Sequence, residues 1–389
     1  MKKLLYLFAI AAVAAGCGSK GPDPEPTPSG NSTKIKAEKA ANCIVVRDAA
    51  THRINATIRG NGVLPEGIGA DEKQSLNLSM EPAGAKLVWE SEVGWVSSVS
   101  FSKEHKTIDF ATKGTAGNAL IAAVTDHGLI LWSWHIWNPG TEEDIGMLNL
   151  GAVSITSSDP GIMGLLYQWG RKEPFPSANQ RIYTASETRM ASLYDADGEE
   201  ISILPPGFTG VHNDFGTCIQ NPLEMQITHW LNTDTNGDYL KGDKSYDDLW
   251  GGVSGKKTLF DPCPDGYRVM PLSYFDPIKL EESTDPSWVN GGWMITRRSD
   301  NHLEAYLPAC GHYDGYEGLL QVNETGKKCY YWLSDSASDR KSKAVIFDRD
   351  APQGHGEFPG WENSSAIAEY FSIPSSRSDA YSVRCLKEE

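Results

Sequence analysis

The chain reads as a mixed fold: an all-β sandwich over residues 37–138, then an α+β region over residues 139–389 rich in irregular loops. Three observations predict this. Gly (38) and Pro (22) are plentiful while charged residues make up only 22% of the 389, a mix that favours short strands and long turns over a helical bundle. The front half carries short β-prone runs separated by turn signals. After Asn138-Pro139-Gly140 the texture changes to isolated helix signals between Gly/Asp/Ser-rich loops, the pattern of an α+β arrangement.

In order, Cys43–Val46, Arg53–Ile58 and Lys86–Trp89 are strand signals, the second ending in Gly60-Asn61-Gly62. Val99–Phe101 and Thr107–Phe110 flank a polar turn at Lys103-Glu104-His105, and Asn118–Val124 and Leu129–Trp137 flank Thr125-Asp126-His127-Gly128, each pair reading as a hairpin. In the last of these, period 2 puts Ile130, Trp132, Trp134 and Ile136 on one core face. His135 lies on the other, mixed face and reads as a hydrogen-bonded strand residue rather than a ligand. Asp159 and Pro160 supply a helix cap and a first-turn proline. Further short helices are expected over 223–231 and 272–282, and strands over 293–296, 303–307, 330–333, 344–347 and 381–386.

Residues 1–17 read as a lipoprotein export signal. Lys2 and Lys3 precede an apolar run from Leu4 to Ala15, then Gly16 and Cys17; a basic start, a short apolar core and small residues before a cut site mark secretion. Cys17 is the expected lipid anchor, by its likeness to a bacterial lipobox. Residues 18–36 (GSKGPDPEPTPSGNSTKIK) read as a Pro-rich, extended linker. The expected location is an outer-membrane lipoprotein at the cell surface, held by its N-terminal lipid. A net charge of −16 repels nucleic acid and anionic membranes, so no nucleic-acid partner is expected. Six further cysteines (43, 218, 263, 310, 329 and 385) form no CxxC pair. An exported chain permits disulfides, but six cysteines allow 15 pairings.

Five segments then occur in a telling order: LLYQWGRKEPF (165–175), FDPCPDGYRVM (260–270), LPACGHYDGYEG (308–318), YYWLSD (330–335) and YSVRCLKEE (381–389). Together they resemble the major paralogous domain first named for Fibrobacter succinogenes, abundant in Bacteroidetes surface lipoproteins. ANCIVV (41–46), GNALIAAVTDHGLILWSWHIW (117–137) and LNLGAVS (148–154) resemble the β-rich region that precedes it in fimbrillin-like proteins. Tyr267 stands where a Trp is usual, WLSD where WSS is usual, and Met270-Pro271 lacks the usual following Thr. The resemblance implies a C-type-lectin-like scaffold for the later region, with its ends tied together. It thereby implies a Cys263–Cys385 disulfide; Cys310–Cys329 is the second pairing considered, with Cys43 and Cys218 left open.

No HExxH, GxSxG, P-loop or Rossmann glycine pattern occurs, and no catalytic residue is assigned. Two constellations remain. In NTDTNGDYLKGD, Asn232, Asp234, Asn236 and Asp243 fall at positions 1, 3, 5 and 12 of a calcium-loop spacing, with Gly237 at position 6. Asn at the first position, Asp at the last and Leu240 at the ninth depart from that pattern, so a polar turn is the first reading and a Ca2+ site the second. Tyr313, Tyr316 and Trp361, with Asp314, sit in Gly/Asp-rich loops; aromatic faces beside carboxylates suit glycan recognition. Trp332, in a strand, reads as core. These features lead to the expectation of a non-catalytic surface lipoprotein that binds a glycan or a host or partner protein. A structural role in a fimbrial or cell-surface assembly is the alternative, and a polysaccharide-acting enzyme ranks last.

Overall fold

A computed structural model describes residues 35–179, 187–188, 190–203, 215–226, 230–231, 246–275, 278–279, 291–297, 303–315, 322–338, 341–348 and 372–388. Cys17 and the leader, the calcium-loop candidates Asn232, Asp234, Asn236 and Asp243, and Tyr316 and Trp361 lie outside these residues. Lys34–Glu389 forms one compact unit. Strands dominate it, with two α-helices among the described residues.

The front strands are β1 (Lys36–Ala37), β2 (Cys43–Val45), β3 (His52–Asn55), β4 (Gly84–Glu90), β5 (Val96–Ser102), β6 (Thr107–Thr112), β7 (Gly117–Val124) and β8 (Ile130–Asn138), with helix α1 (Ala70–Asn77) between β3 and β4. Next come β9 (Leu165–Gln168), β10 (Phe175–Pro176), β11 (Glu187–Thr188), β12 (Leu193–Tyr194), β13 (Glu200–Ile201) and helix α2 (Phe215–Gln220). The rest are β14 (Tyr267–Val269), β15 (Ile278–Lys279), β16 (Gly292–Arg297), β17 (Leu303–Pro308), β18 (Val322–Asn323), β19 (Lys328–Ser338), β20 (Lys341–Asp348), β21 (Ser372–Ser376), β22 (Ala380–Ser382) and β23 (Cys385–Lys387).

Two front sheets, ordered β1-β3-β6-β5 and β13-β12-β4-β7-β8-β2, carry the expected hairpins. At the β7–β8 turn the Thr125 amide donates to Leu129 O at 2.9 Å and Gly128 takes φ 80°, a left-handed conformation that glycine adopts without steric cost. The late sheet is ordered β10-β9-β22-β19-β20-β21. Strands from both sides of residue 138 share the second front sheet, and one apolar core runs from Cys43 through Trp132, Trp169 and Trp332 to Cys385. This double covering explains β8: Trp132, Trp134, His135 and Trp137 are all buried, and only Leu131 is half-buried, so both faces of the strand are core. His135 is held as a neutral strand residue, its Nε2 2.9 Å from Asn118 Oδ1 and its Nδ1 3.3 Å from Tyr167 Oη. Burial lowers its pKa to about 3.

Helix signals translate into shorter elements. Asp159 accepts from the Gly161 amide and Pro160 opens the turn, but it is one 3-10 turn, Pro160–Met163, ended by Gly164 at φ 71°. The helix expected over 223–231 is corrected: the helix lies upstream, at Phe215–Gln220, and Leu223–Gln226 is turn and irregular chain. The one expected over 272–282 reduces to a 3-10 turn, Leu272–Phe275, followed by β15.

The QWGRKEPF segment supplies the centre of the core. Arg171, Lys172 and Glu173 are each at most 3% exposed. Lys172 donates to Ser133 O (3.0 Å) and Oγ (2.8 Å) on β8 and to Glu173 Oε1 (2.5 Å), with its ammonium 4.3 Å from the centre of the Trp132 ring. Arg171 donates to Gln168 Oε1 and Glu224 O and lies over Phe175. Burial alone would raise the Glu173 carboxyl, but the cations Lys172 and Arg171 more than offset that and hold it below its ordinary range.

Cys263 and Cys385 form the disulfide, closing 122 residues of sequence separation. It is flanked by a buried hub in which Asp261 takes Lys257 Nζ (2.6 Å) and the amides of Cys263 (2.8 Å) and Val269 (3.0 Å). The Cys310–Cys329 pairing is corrected: both remain thiols, because their side chains fall in different apolar clusters. Cys310 Sγ donates toward Met163 O and Pro308 O, and Cys329 Sγ toward Leu307 O. Cys43 and Cys218 are likewise buried thiols.

Two outcomes follow for stability. Replacing Cys263 and Cys385 by Ser costs about 4–5 kcal/mol on the loop-entropy account, read as the loss in chemical-denaturation free energy. Glu173→Ala costs about 3–5 kcal/mol because it strands buried cations, and adding Lys172→Met to that variant recovers part of the loss in the same assay.

Candidate functional site

The segment 310–315 crosses the end of the late sheet and gathers titratable groups from several elements. Its register is set by two bridges, His312 with Asn323 and Tyr313 with Ala380. Alternation along an extended chain sends neighbouring side chains to opposite sides. Tyr313 therefore points inward. It is wholly buried and its hydroxyl donates to Pro176 O at 2.7 Å, and burial raises its pKa well above the ordinary value. The expectation that Tyr313 contacts a ligand is thus corrected: it pins the loop to the core.

His312 and Asp314, on the other side, are half-buried. Beneath them lies an aromatic floor. His312 sits 4.3 Å from the Tyr330 ring, Tyr330 lies 5.0 Å from Tyr381, and Tyr381 stacks on Trp332 at 4.3 Å. Trp332 is wholly buried, as expected, and its indole donates to Tyr167 O. Gly315 is required where it stands, since a Cβ there would lie 2.3 Å from Ser378 O. That close approach brings the Gly315 amide to Asp379 Oδ1 at 3.1 Å, while Tyr381 donates to Asp379 Oδ2 at 3.0 Å.

A rim of charge surrounds this floor. Glu324, at a left-handed φ of 58°, accepts from the Tyr330 hydroxyl and from Lys328 (2.7 Å), and Lys328 also reaches Asp348 (3.2 Å). Burial raises the Glu324 carboxyl, but the bonds from Lys328 and Tyr330 outweigh it and leave the group below its ordinary range. Asp379 moves the other way, to about 6: burial dominates, opposed by the bonds from Gly315 and Tyr381 and reinforced by the charge of Asp314. Burial lowers the His312 pKa, against the pull of Glu324 and Asp314.

The arrangement thus brings Asp314 together with His312, Glu324, Lys328, Tyr330, Asp348, Asp379 and Tyr381. Of these, sequence reading singled out Asp314 alone. Asp379 and Glu324 lie far from it in sequence, and nothing in their neighbours marked them. The half-buried rim offers several oriented acceptors and one ammonium to solvent, a set that bonds hydroxyl-rich ligands. Among the described residues no group of three or more His, Cys, Asp or Glu is arranged for a metal, and no helix is long and apolar enough to cross a membrane. No protein-family model, no curated protein and no solved structure matches this chain.

The Asp379 carboxyl should titrate near pH 6 by 13C NMR. Because its folded pKa lies above the ordinary 3.8, its contribution to stability is complete below that value and is lost as pH rises through about 6. In Asp314→Asn the midpoint should move down, since a repelling charge is removed; an unchanged midpoint would show the two carboxylates to be uncoupled.

Proposed function

We propose that this chain is a non-catalytic lipoprotein, acylated at Cys17 and displayed from the outer membrane on its Pro-rich linker, which binds a glycan at the rim around Asp314. What supports the anchor is the leader sequence ending in Ala14-Ala15-Gly16-Cys17. The reading of the later region as C-type-lectin-like, akin to the major paralogous domain, rests on the ordered segments from 165 to 389 and on the disulfide that ties residue 263 to residue 385.

The observation that carries the binding site is the fixed rim over the aromatic floor. The rings face inward, with Tyr330 6% and Tyr381 3% exposed, so the mode is hydrogen bonding by oriented carboxylates rather than ring stacking. Preorganised polar groups of this kind lose little freedom on binding. Ionised Asp379 is a stronger acceptor for ligand hydroxyls than its protonated form, so affinity falls as pH drops below about 6.

Glycan-array binding by the full chain tests the reading. Asp314→Ala and Asp379→Asn should each weaken the captured glycans by about tenfold, the scale of one hydrogen bond to a charged group. Unchanged binding in both variants, or silence of the parent chain across neutral and acidic panels, sinks the site. Cys17→Ser should move the protein from the membrane to the soluble fraction; retention in the membrane sinks the anchor separately.

A further inference from the structure

A second cleft lies where α2 meets the front elements α1 and β8, and none of the Asp314 rim residues lines it. Its volume is about 360 Å³, and its walls come from α1, the start of β8 and α2. Leu76, Ile130, Leu131, Phe215 and Ile219 make the wall largely apolar, and Arg59 stands within it. The size falls within the range of small-molecule sites.

The walls are fixed. Glu72 on α1 accepts from the Gly69 amide with Oε2 (2.7 Å) and from the Tyr246 hydroxyl with Oε1 (2.6 Å). Tyr246 packs edge-on against Phe215 at 5.5 Å, so helix α1 and helix α2 are braced through one side chain. The Glu72 carboxylate is thereby committed within the protein.

Arg59 is the unusual member. Its Nη1 donates to Leu76 O (2.9 Å) and Leu78 O (2.6 Å), closing the end of α1. Those two bonds consume both protons of Nη1. Among the described residues, Nε and Nη2 donate to no partner, and no carboxylate forms an ion pair with the guanidinium. Arg53, in the same domain, shows the use of that edge: its Nε and Nη2 hold Asp109 Oδ1 and Oδ2 at 2.6 and 2.7 Å. Burial lowers the Arg59 pKa from its ordinary value, and no acidic neighbour offsets the effect. The Nε and Nη2 edge is not sealed in the core but stays open to solvent and so to a ligand. In a chain of net charge −16, acidic side chains are abundant, yet the two that line the cleft, Asp71 and Glu72, form no ion pair with Arg59 among the described residues.

We propose that the cleft between α1, β8 and α2 binds an organic monocarboxylate with an apolar body, its carboxylate held side-on by Nε and Nη2 of Arg59 and its body laid against Leu131, Phe215 and Ile219. The fork geometry suits two parallel charge-assisted bonds to a carboxylate. Asp71, exposed at the cleft edge, disfavours a second negative charge and so selects against a phosphate dianion. The apolar wall supplies burial for the rest of the ligand.

The test is saturation-transfer and chemical-shift NMR on the purified full chain with phenylacetate and hexanoate, against 2-phenylethanol and inorganic phosphate. The acids should bind at least about tenfold more tightly than the alcohol, the scale of a bidentate charged contact, and phosphate should not compete. Arg59→Gln should remove that preference. Because Arg59 also closes α1, a second variant keeps the test sound: Ile219→Trp fills the apolar wall, leaves the Arg59 bonds to Leu76 and Leu78 in place, and should abolish binding of both acids. Equal binding of acid and alcohol, competition by phosphate, or acid binding that survives Ile219→Trp would each overturn the proposal.

Discussion

The contact on which the architecture turns is the buried carboxylate of Glu173 with the cations beside it. Lys172 reaches across to the backbone and hydroxyl of Ser133 on β8, while Arg171 reaches Gln168 on β9 and the Glu224 carbonyl. One ionic cluster thus grips the second front sheet and the late sheet at once. Its net energetic worth is small, since desolvating three charges consumes most of what their attraction returns. Its effect is on geometry: any sliding of one sheet against the other leaves a charge in the apolar core without its partner. The same logic recurs at Arg377, whose guanidinium lies 4.5 Å over the Trp169 ring and bonds Ser342, Ser336 and Asp247.

That arrangement explains which parts of the fold were legible in the sequence. The front hairpins were, because period-2 patterning and the Thr125–Gly128 turn are local signals. Helix length was not. Asp159 and Pro160 cap what they should, but LLYQ is drawn into the late sheet by its pairing with β22 and β10, and tertiary pairing overrides local preference. The depth of burial was also hidden. A charged triplet such as Arg171-Lys172-Glu173 looks solvated in a sequence, and only the neighbouring sheets make it core. The Cys263–Cys385 bridge was reached through the resemblance, whereas Cys310 and Cys329 belong to separate clusters that no spacing rule reveals.

The candidate site was legible only in part for a related reason. Asp314 was found because an Asp between aromatics in a Gly-rich loop is a local pattern. Asp379 and Glu324 reach it from turns distant in sequence, through the Gly315 contact and the left-handed backbone at Glu324. Alternation then decides which residues of the loop face out, and it sends Tyr313 to the core. The aromatic content that drew attention in the sequence is therefore a foundation, and the chemistry is carried by the acids above it. Arg59 is the converse case: an ordinary residue after a strand, made distinctive by the carbonyls of Leu76 and Leu78, which take one of its nitrogens and turn the other edge toward the cleft.

The position of β22 has a consequence for how this protein is made. Residues 380–382 insert between β9 and β19, Arg384 bridges back to Asn149, and Cys385 seals against Cys263. Synthesis delivers this segment after every strand it joins, so the late sheet stays split and the shared core uncovered until it arrives. Until then the nascent chain is exposed to proteases, and chaperone capture becomes a condition of yield rather than an accessory to it.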